Sequence, residues 1–199
     1  MSKKELRVAL IGHQFMGIAH SNAFRNAAMW TDLPVKISMK CVCGNNEDNL
    51  KAFAEKYGWE SYETDWQNVV KRDDVDLISI ATPNHLHKEI ALEAAKYGKH
   101  ILCEKPLANN LSDAKEMLDA VSKAGVRHCC GFSYRFTPSL ALARQLVQDG
   151  KIGRIYHVFV RYAQDWITDP NFGMVWRFDK KIAGSGPLGD LSAHSIDAT

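Results

Sequence analysis

The chain has 199 residues, of which 46% are hydrophobic and 24% charged, the balance of an ordinary soluble globular protein of one large domain, or one domain and part of another. Its 25 basic and 23 acidic residues are interspersed, leaving a formal net charge of +2 and no basic block to track phosphates, so no nucleic-acid partner is expected. No apolar run approaches the roughly 18 residues of a membrane span, and "MSKKEL" precedes only a short apolar stretch, so no membrane partner is expected and a cytoplasmic location is.

Five- and six-residue apolar runs alternate with segments of helical period, the pattern of a parallel sheet with crossover helices. "RVALIG" predicts a strand and Met16 to Ala28 a helix. "VKISMKCVCG" predicts the second strand; in "EDNLKAFAEKYG", Leu50, Phe53, Ala54 and Tyr57 share one helical face and Gly58 suits the C-terminal cap. "DVDLISIA" is the third strand, "HKEIALEAAKYG" a helix closing on Gly98, and "KHILCE" the fourth strand. Asn110 then caps "LSDAKEMLDAVSKAG", with Asp113 in the reciprocal position, and "VRHCCGF" completes a doubly wound α/β sheet over residues 1–133.

The pattern changes near Tyr134 to α+β. "SLALARQLVQDGKIG" predicts a helix and the alternating "RIYHVFVRYAQDW" a strand, while "GSGPLGDLSAHSIDAT" opens another helix. Residues 134–199 are thus expected to begin a second domain whose core they do not complete, as in a fragment of a longer protein.

Cys41, Cys43, Cys103, Cys129 and Cys130 all lie in strand-like apolar segments without a C-x-x-C pair and are expected to be buried free thiols. A zinc site from His100, Cys103, His128 and Cys129 would need strand neighbours that point to opposite faces to converge, so no metal site is expected.

A doubly wound sheet binds its ligand at the carboxyl ends of its strands. In "VALIGHQFMGIAHS", Gly12 and Gly17 supply the first and third glycines of a dinucleotide loop. Gln14 replaces the second and prevents the closest approach of a pyrophosphate unless its side chain turns outward, although the amides of Phe15 and Met16 at a helix start still attract phosphate. A plain strand-to-helix turn reads the same segment. Gly44 and Asn45 end the second strand where a carboxylate would hold ribose hydroxyls. Lacking both carboxylate and arginine, that position leaves NAD and NADP open, with Asn45 or Asn46 as hydrogen-bonding groups.

"ATPNHLH" ends the third strand: Asn84 there caps the following helix or faces the crevice, and His85 reads as a surface residue. "CEKPL" puts Glu104 and Lys105 at the end of the next strand, Lys105 directed into the crevice or simply onto the surface. In "GDLSAHS", Asp190 and His194 stand four apart on one helical face, either an ordinary pair or a carboxylate and imidazole able to orient and deprotonate a hydroxyl.

Together, G-x-x-x-M-G-x-A-H at Gly12 to His20, T-P-N-x-x-H at Thr82 to His87, E-K-P at Glu104 to Pro106, and the late Asp190 and His194 resemble the glucose-fructose oxidoreductase, inositol dehydrogenase and MocA family over essentially the whole chain. Tyr134 and Arg135, Gln164 to Trp166, and Trp176 and Arg177 look like its inositol-dehydrogenase-like branch.

The resemblance implies a Rossmann domain followed by an α+β sheet domain that builds the substrate site and the contacts of a homo-oligomer, dimer or tetramer. It implies NAD or NADP as cofactor, bound by Gly12, Gln14, Phe15, Met16, Gly17, Gly44, Asn45, Thr82, Pro83, Asn84, His87 and Glu104. Lys105 matches the family's catalytic lysine, and Asp190 with His194 the pair that handles the substrate. Tyr134, Arg135, Asp165 and Trp166 are expected on the substrate side, although aromatic residues on an alternating strand also simply pack. The reaction implied is hydride transfer between nicotinamide and a secondary alcohol of an inositol-like polyol or sugar. The alternatives are glycosidic-bond cleavage by transient use of the nicotinamide, and a dinucleotide-sensing regulator.

Overall fold

The computed structural model describes residues 3–199. They divide into one unit ending at Cys130 and a second, Gly131–Thr199.

In the first unit, β1 (Lys4–Ile11) is followed by α1 (Phe15–Trp30), β2 (Val35–Cys43), α2 (Glu47–Tyr57), β3 (Ser61–Glu63) and α3 (Trp66–Val70). β4 (Leu77–Ile80), α4 (His87–Lys96), β5 (His100–Cys103), α5 (Leu111–Ala124) and β6 (His128–Cys130) complete it. The strands form one sheet in the order β3-β2-β1-β4-β5-β6, every pair parallel. The order reverses at β1, the point where such sheets open a crevice beyond their carboxyl ends.

Strand alternation sorts the core into two layers. Val8, Leu10 and Val42 meet Leu50, Phe53, Ala54 and Tyr57 on one face, and the four helical residues are the stripe predicted for α2. Ala9, Ile11, Cys41, Cys43, Ile78 and Ile80 meet α3, α4 and α5 on the other. Caps mark the helix ends as the sequence predicts: the Asn110 side-chain oxygen accepts from the Asp113 backbone amide at 2.9 Å, and the Asn110 side-chain Nδ2 donates to the Asp113 carboxylate at 2.7 Å. Gly58 closes α2 with φ of 81°.

β3 and α3 carry no period in the sequence, because three and five residues are too few for one to show, and three expectations are corrected. Cys129 is exposed and Cys130 only partly buried, since β6 is an edge strand covered on one side, whereas Cys41, Cys43 and Cys103 are buried. Asn84 does not cap α4; it opens a short 3₁₀ turn, Asn84–Leu86, that precedes it. The alternating stretch 154–166 forms no strand, because no described segment offers it a ladder, and Tyr156 and Phe159 stand exposed.

In the second unit, α6 (Pro138–Gln148) starts on proline, the residue whose missing N–H suits a first helical position. α7 (Lys180–Ala183) follows, and a π-type turn, Leu188–Ser192, leads into α8 (Ala193–Asp197). Among the described residues no helix is long and apolar enough to cross a membrane.

Candidate active site

Parallel strands bring the loops after β1, β2, β4 and β5 to one edge of the sheet. Gly12 leaves β1 with φ of 104°, a backbone that L side chains rarely adopt, and a Cβ there would lie 2.4 Å from the Ala81 carbonyl oxygen. Gly17 lies in the first turn of α1, where a Cβ would fall 2.3 Å from the Gly12 carbonyl oxygen. Both glycines are therefore required by packing: the first lets β1 and β4 end side by side, the second seats the helix on the turn.

Gln14 is exposed, its side-chain Nε2 3.5 Å from His13 Nε2. Gln14 itself precedes α1 without a side-chain cap, and no acidic residue occupies the first turn. The first intrahelical bond runs from Ile18 to the Gln14 carbonyl, so the amides of Phe15 and Met16 are left to an external acceptor. A negative group is favoured there by those donors and by the helix dipole.

At the end of β2, a Cβ on Gly44 would lie 2.2 Å from His13 Nδ1, so the imidazole occupies the space a side chain would take. That ring packs edge-on against Phe53 at 5.9 Å, and burial pushes its pKa down. Asn46 spends its side-chain oxygen on the Asn49 amide at 2.9 Å as the cap of α2, which leaves exposed Asn45 to face a ligand.

After β4, the Thr82 hydroxyl oxygen is buried without a hydrogen-bond partner, a vacancy in polar bonding that a bound polar group would fill. Pro83 and Asn84 are partly buried and buried. His87 has no exposed surface; its ring spans the Thr82 and Pro106 carbonyl oxygens, each at 3.0 Å. It braces the loops after β4 and β5 from beneath, and burial pushes its pKa down.

Glu104 also faces inward. One carboxylate oxygen is 2.9 Å from His20 Nε2, and the other accepts the Lys105 amide at 3.2 Å. His20 Nδ1 in turn lies 2.7 Å from the Ser79 hydroxyl. Lys105 is partly buried at the end of β5. His13 and Ser79 carried no sequence signal, and His20 only its place in a motif, because their partners lie far away along the chain.

In the second unit, the His194 ring stacks on Tyr134, with centroids 4.4 Å apart and planes at 24°. Phe132 meets it edge-on at 6.2 Å, and Tyr162 lies tilted to it at 6.1 Å. The Tyr134 and Tyr162 hydroxyls are 2.6 Å apart, Gln164 donates to Tyr162 at 2.8 Å, and the Trp166 indole donates to Gln164 at 2.9 Å. Trp166 also stacks on Phe178, the packing role that an aromatic residue on this stretch admits. Asp190 lies in the π-type turn with Arg177 3.8 Å away. Arg135 is engaged by the Asp197 carboxylate through its Nε at 2.8 Å to both oxygens, and Asp165 is exposed.

The inverted strand order, the two obligatory glycines and the uncapped helix start define a dinucleotide-binding domain of the doubly wound class. Residues 6–132 match the model of the oxidoreductase family with an NAD-binding Rossmann fold, and residues 140–199 that of the GFO/IDH/MocA C-terminal domain. The chain belongs to the GFO/IDH/MocA oxidoreductase family.

It is 44% identical to a levoglucosan dehydrogenase of Pseudarthrobacter phenanthrenivorans over 198 residues, 98% of this chain and 50% of that protein. It is 32% identical to a D-glucoside 3-dehydrogenase of Escherichia coli over 201 residues, 100% of this chain and 54% of that protein. The solved complex of levoglucosan dehydrogenase with NADH and levoglucosan superposes with a TM-score of 0.93 at 43% identity, over 98% of this chain and 53% of that one. The chain thus spans about half the length of the relatives it matches.

Proposed function

We propose that the whole protein is an NAD-dependent dehydrogenase that reversibly oxidises a secondary hydroxyl of a sugar. The observation that carries the reading is the edge formed by Gly12, the uncapped start of α1 and the buried Thr82 hydroxyl, which together offer donors and a polar gap suited to a dinucleotide. Relatives named for levoglucosan and D-glucosides favour a sugar over an inositol as the finer choice.

Residues 1–133 hold the cofactor and residues 134–199 begin the substrate domain. The Phe15 and Met16 amides would hold the pyrophosphate, with Gly12 and Gly17 allowing its approach beside Gln14. Asn45 bonds the adenosine ribose; with neither carboxylate nor arginine at Gly44, NADP is the cofactor to compare. Thr82, Pro83 and Asn84 line the crevice, while His87 and Glu104 act from beneath it.

The bound nicotinamide supplies the hydride acceptor. Lys105 hydrogen-bonds the reacting oxygen and stabilises negative charge developing there. His194 takes the hydroxyl proton, its ring orientation fixed by the Tyr134 face, and Asp190 fixes the substrate or the imidazole. Tyr134, Arg135, Asp165 and Trp166 belong to the substrate side, Arg135 through its hold on Asp197. The full-length protein is a homo-oligomer, dimer or tetramer.

The test titrates full-length protein with NADH and NADPH by fluorescence, then screens sugars and inositols for change in nicotinamide absorbance. His194→Ala lowers kcat by about 10²- to 10⁴-fold and spares NADH affinity. Equal loss of both refutes the role of His194. Retained cofactor with bond cleavage and no net NADH would mark a glycoside-cleaving enzyme, and binding without turnover a sensor.

A further inference from the structure

In the layer between α1 and the sheet, three polar side chains occupy space that a parallel sheet ordinarily fills with aliphatic ones. Ser79 is fully buried, and His20 and Glu104 are 9% and 7% exposed. On β4, Ile78 and Ile80 pack into the layer of α3, α4 and α5, which turns Ser79 toward the opposite layer and α1. His20, in the second turn of α1, lies between the Ser79 hydroxyl at 2.7 Å and the Glu104 carboxylate at 2.9 Å, edge-on to Phe24. Burying a carboxylate is costly unless its oxygens are bonded, and both are, one to His20 and one to the Lys105 amide.

We infer that Ser79, His20 and Glu104 form a buried clamp whose task is to position Lys105. Glu104 serves the reaction through the lysine backbone and not by touching the cofactor, and His20 is the positioning residue that fixes the carboxylate. The clamp ties three elements, α1, β4 and β5, to Lys105, whose side chain meets the reacting oxygen. The α1 helix that presents amides to phosphate thereby also sets the geometry of the chemical step. The inference rests on the reading of Lys105 given above. A Leu, Val and Ile in the three places would fill the same layer without the desolvation cost, so packing alone gives no reason for the polar set.

The test uses the full-length protein and five variants, with kcat, KM, NADH dissociation constant, melting temperature and amide exchange at Lys105 as readouts. His20→Leu and Glu104→Gln each lower kcat by about 10²-fold, the scale of a 1 Å misplacement near the chemistry. NADH affinity stays within about 3-fold, because the phosphate-binding amides are untouched. The Lys105 amide exchanges faster in both. His20→Gln keeps an N–H for the carboxylate and recovers about 10-fold of the lost kcat, and Ser79→Ala costs about 10-fold. The double variant His20→Leu with Glu104→Gln is no slower than either single one, since both break the same support.

The inference fails if His20→Leu keeps kcat within about 3-fold of wild type, if the two losses multiply, or if His20→Gln behaves as His20→Leu does. Loss of NADH affinity in step with kcat would show a merely structural role and overturn it equally. Were the wild type to oxidise no sugar, the functional reading would fall, while Lys105 amide exchange would still report whether the clamp exists.

Discussion

Replacing Gly17 with alanine sets two effects of opposite sign against each other. In a helix interior alanine is favoured over glycine by about 1 kcal/mol, so on propensity alone the change stabilises α1. The new Cβ, however, lies 2.3 Å from the Gly12 carbonyl oxygen and 3.0 Å from the Gly12 carbonyl carbon, both backbone atoms that no rotamer can move aside. Restoring ordinary contact near 3.4 Å requires the helix start and the turn to part by about 1 Å, an overpacking cost of about 1–3 kcal/mol. Gly12 has little freedom to retreat, since its own amide donates to the Cys43 carbonyl at 2.8 Å and the Ala81 carbonyl fills the space where its Cβ would be. Because both clashing atoms are backbone, the cost falls in the upper part of that range and the steric term wins by about 1–2 kcal/mol; the displaced atoms are the amides proposed to meet phosphate. Gly17→Ala in the full-length protein is therefore expected to lower the melting temperature by about 2–8 °C and weaken NADH binding at least about 10-fold. The assays are a thermal melt and a fluorescence titration, with Gly98→Ala as comparison. Gly98 has φ of 68° and open space around its Cβ, so alanine there costs about 1 kcal/mol of backbone strain and leaves NADH affinity unchanged. A Gly17→Ala protein that binds NADH as tightly as wild type would refute the argument.

Two further predictions concern pH, beside the kinetic ones for His194 and the His20 clamp. Burial holds the His87 pKa below its ordinary 6.5, so the unfolded chain takes up a proton that the folded chain resists as pH falls beneath that value. Stability contributed here is complete above pH 6.5 and is lost as pH falls below it; His87→Gln should flatten that part of a melting-temperature profile between pH 7 and 5, and an unchanged slope would assign the acid sensitivity elsewhere. Asp76 is pulled down to about 2 by hydrogen bonds from the Arg7 side chain at 2.6 and 2.9 Å, so its contribution is complete above about pH 4 and lost as pH falls toward 2. Allowing for solvent screening of a partly exposed pair, Asp76→Asn should cost about 1 kcal/mol in denaturant titrations at pH 7, with the two proteins converging toward pH 2.

What could be read from the sequence follows from the range of the forces involved. The α2 stripe of Leu50, Phe53, Ala54 and Tyr57 and the Asn110 cap depend on residues within one or two turns, so local spacing determines them. The glycine turn was readable for the same reason, yet the strength of the requirement was not: Gly12 is forced by Ala81 and Gly44 by His13, contacts made only when β1 meets β4 and β2. The stretch 154–166 shows the converse. Its alternation is present in the sequence, but a strand is a property of a pair, and the described residues hold no partner for it.

Glu104 marks the boundary most sharply. The family resemblance implies a cofactor-binding group there, and the sequence has no means of stating which way a carboxylate at the end of an apolar strand turns. The direction is decided by His20, 84 residues earlier, and by the Lys105 amide next to it. Once both oxygens are bonded beneath the surface, turning outward would strand the His20 N–H in an apolar layer at a cost of about 1–3 kcal/mol. The inward position is therefore held by the same desolvation that makes buried polar groups rare. A motif can thus be recognised correctly by spacing while one of its members acts by supporting its neighbour.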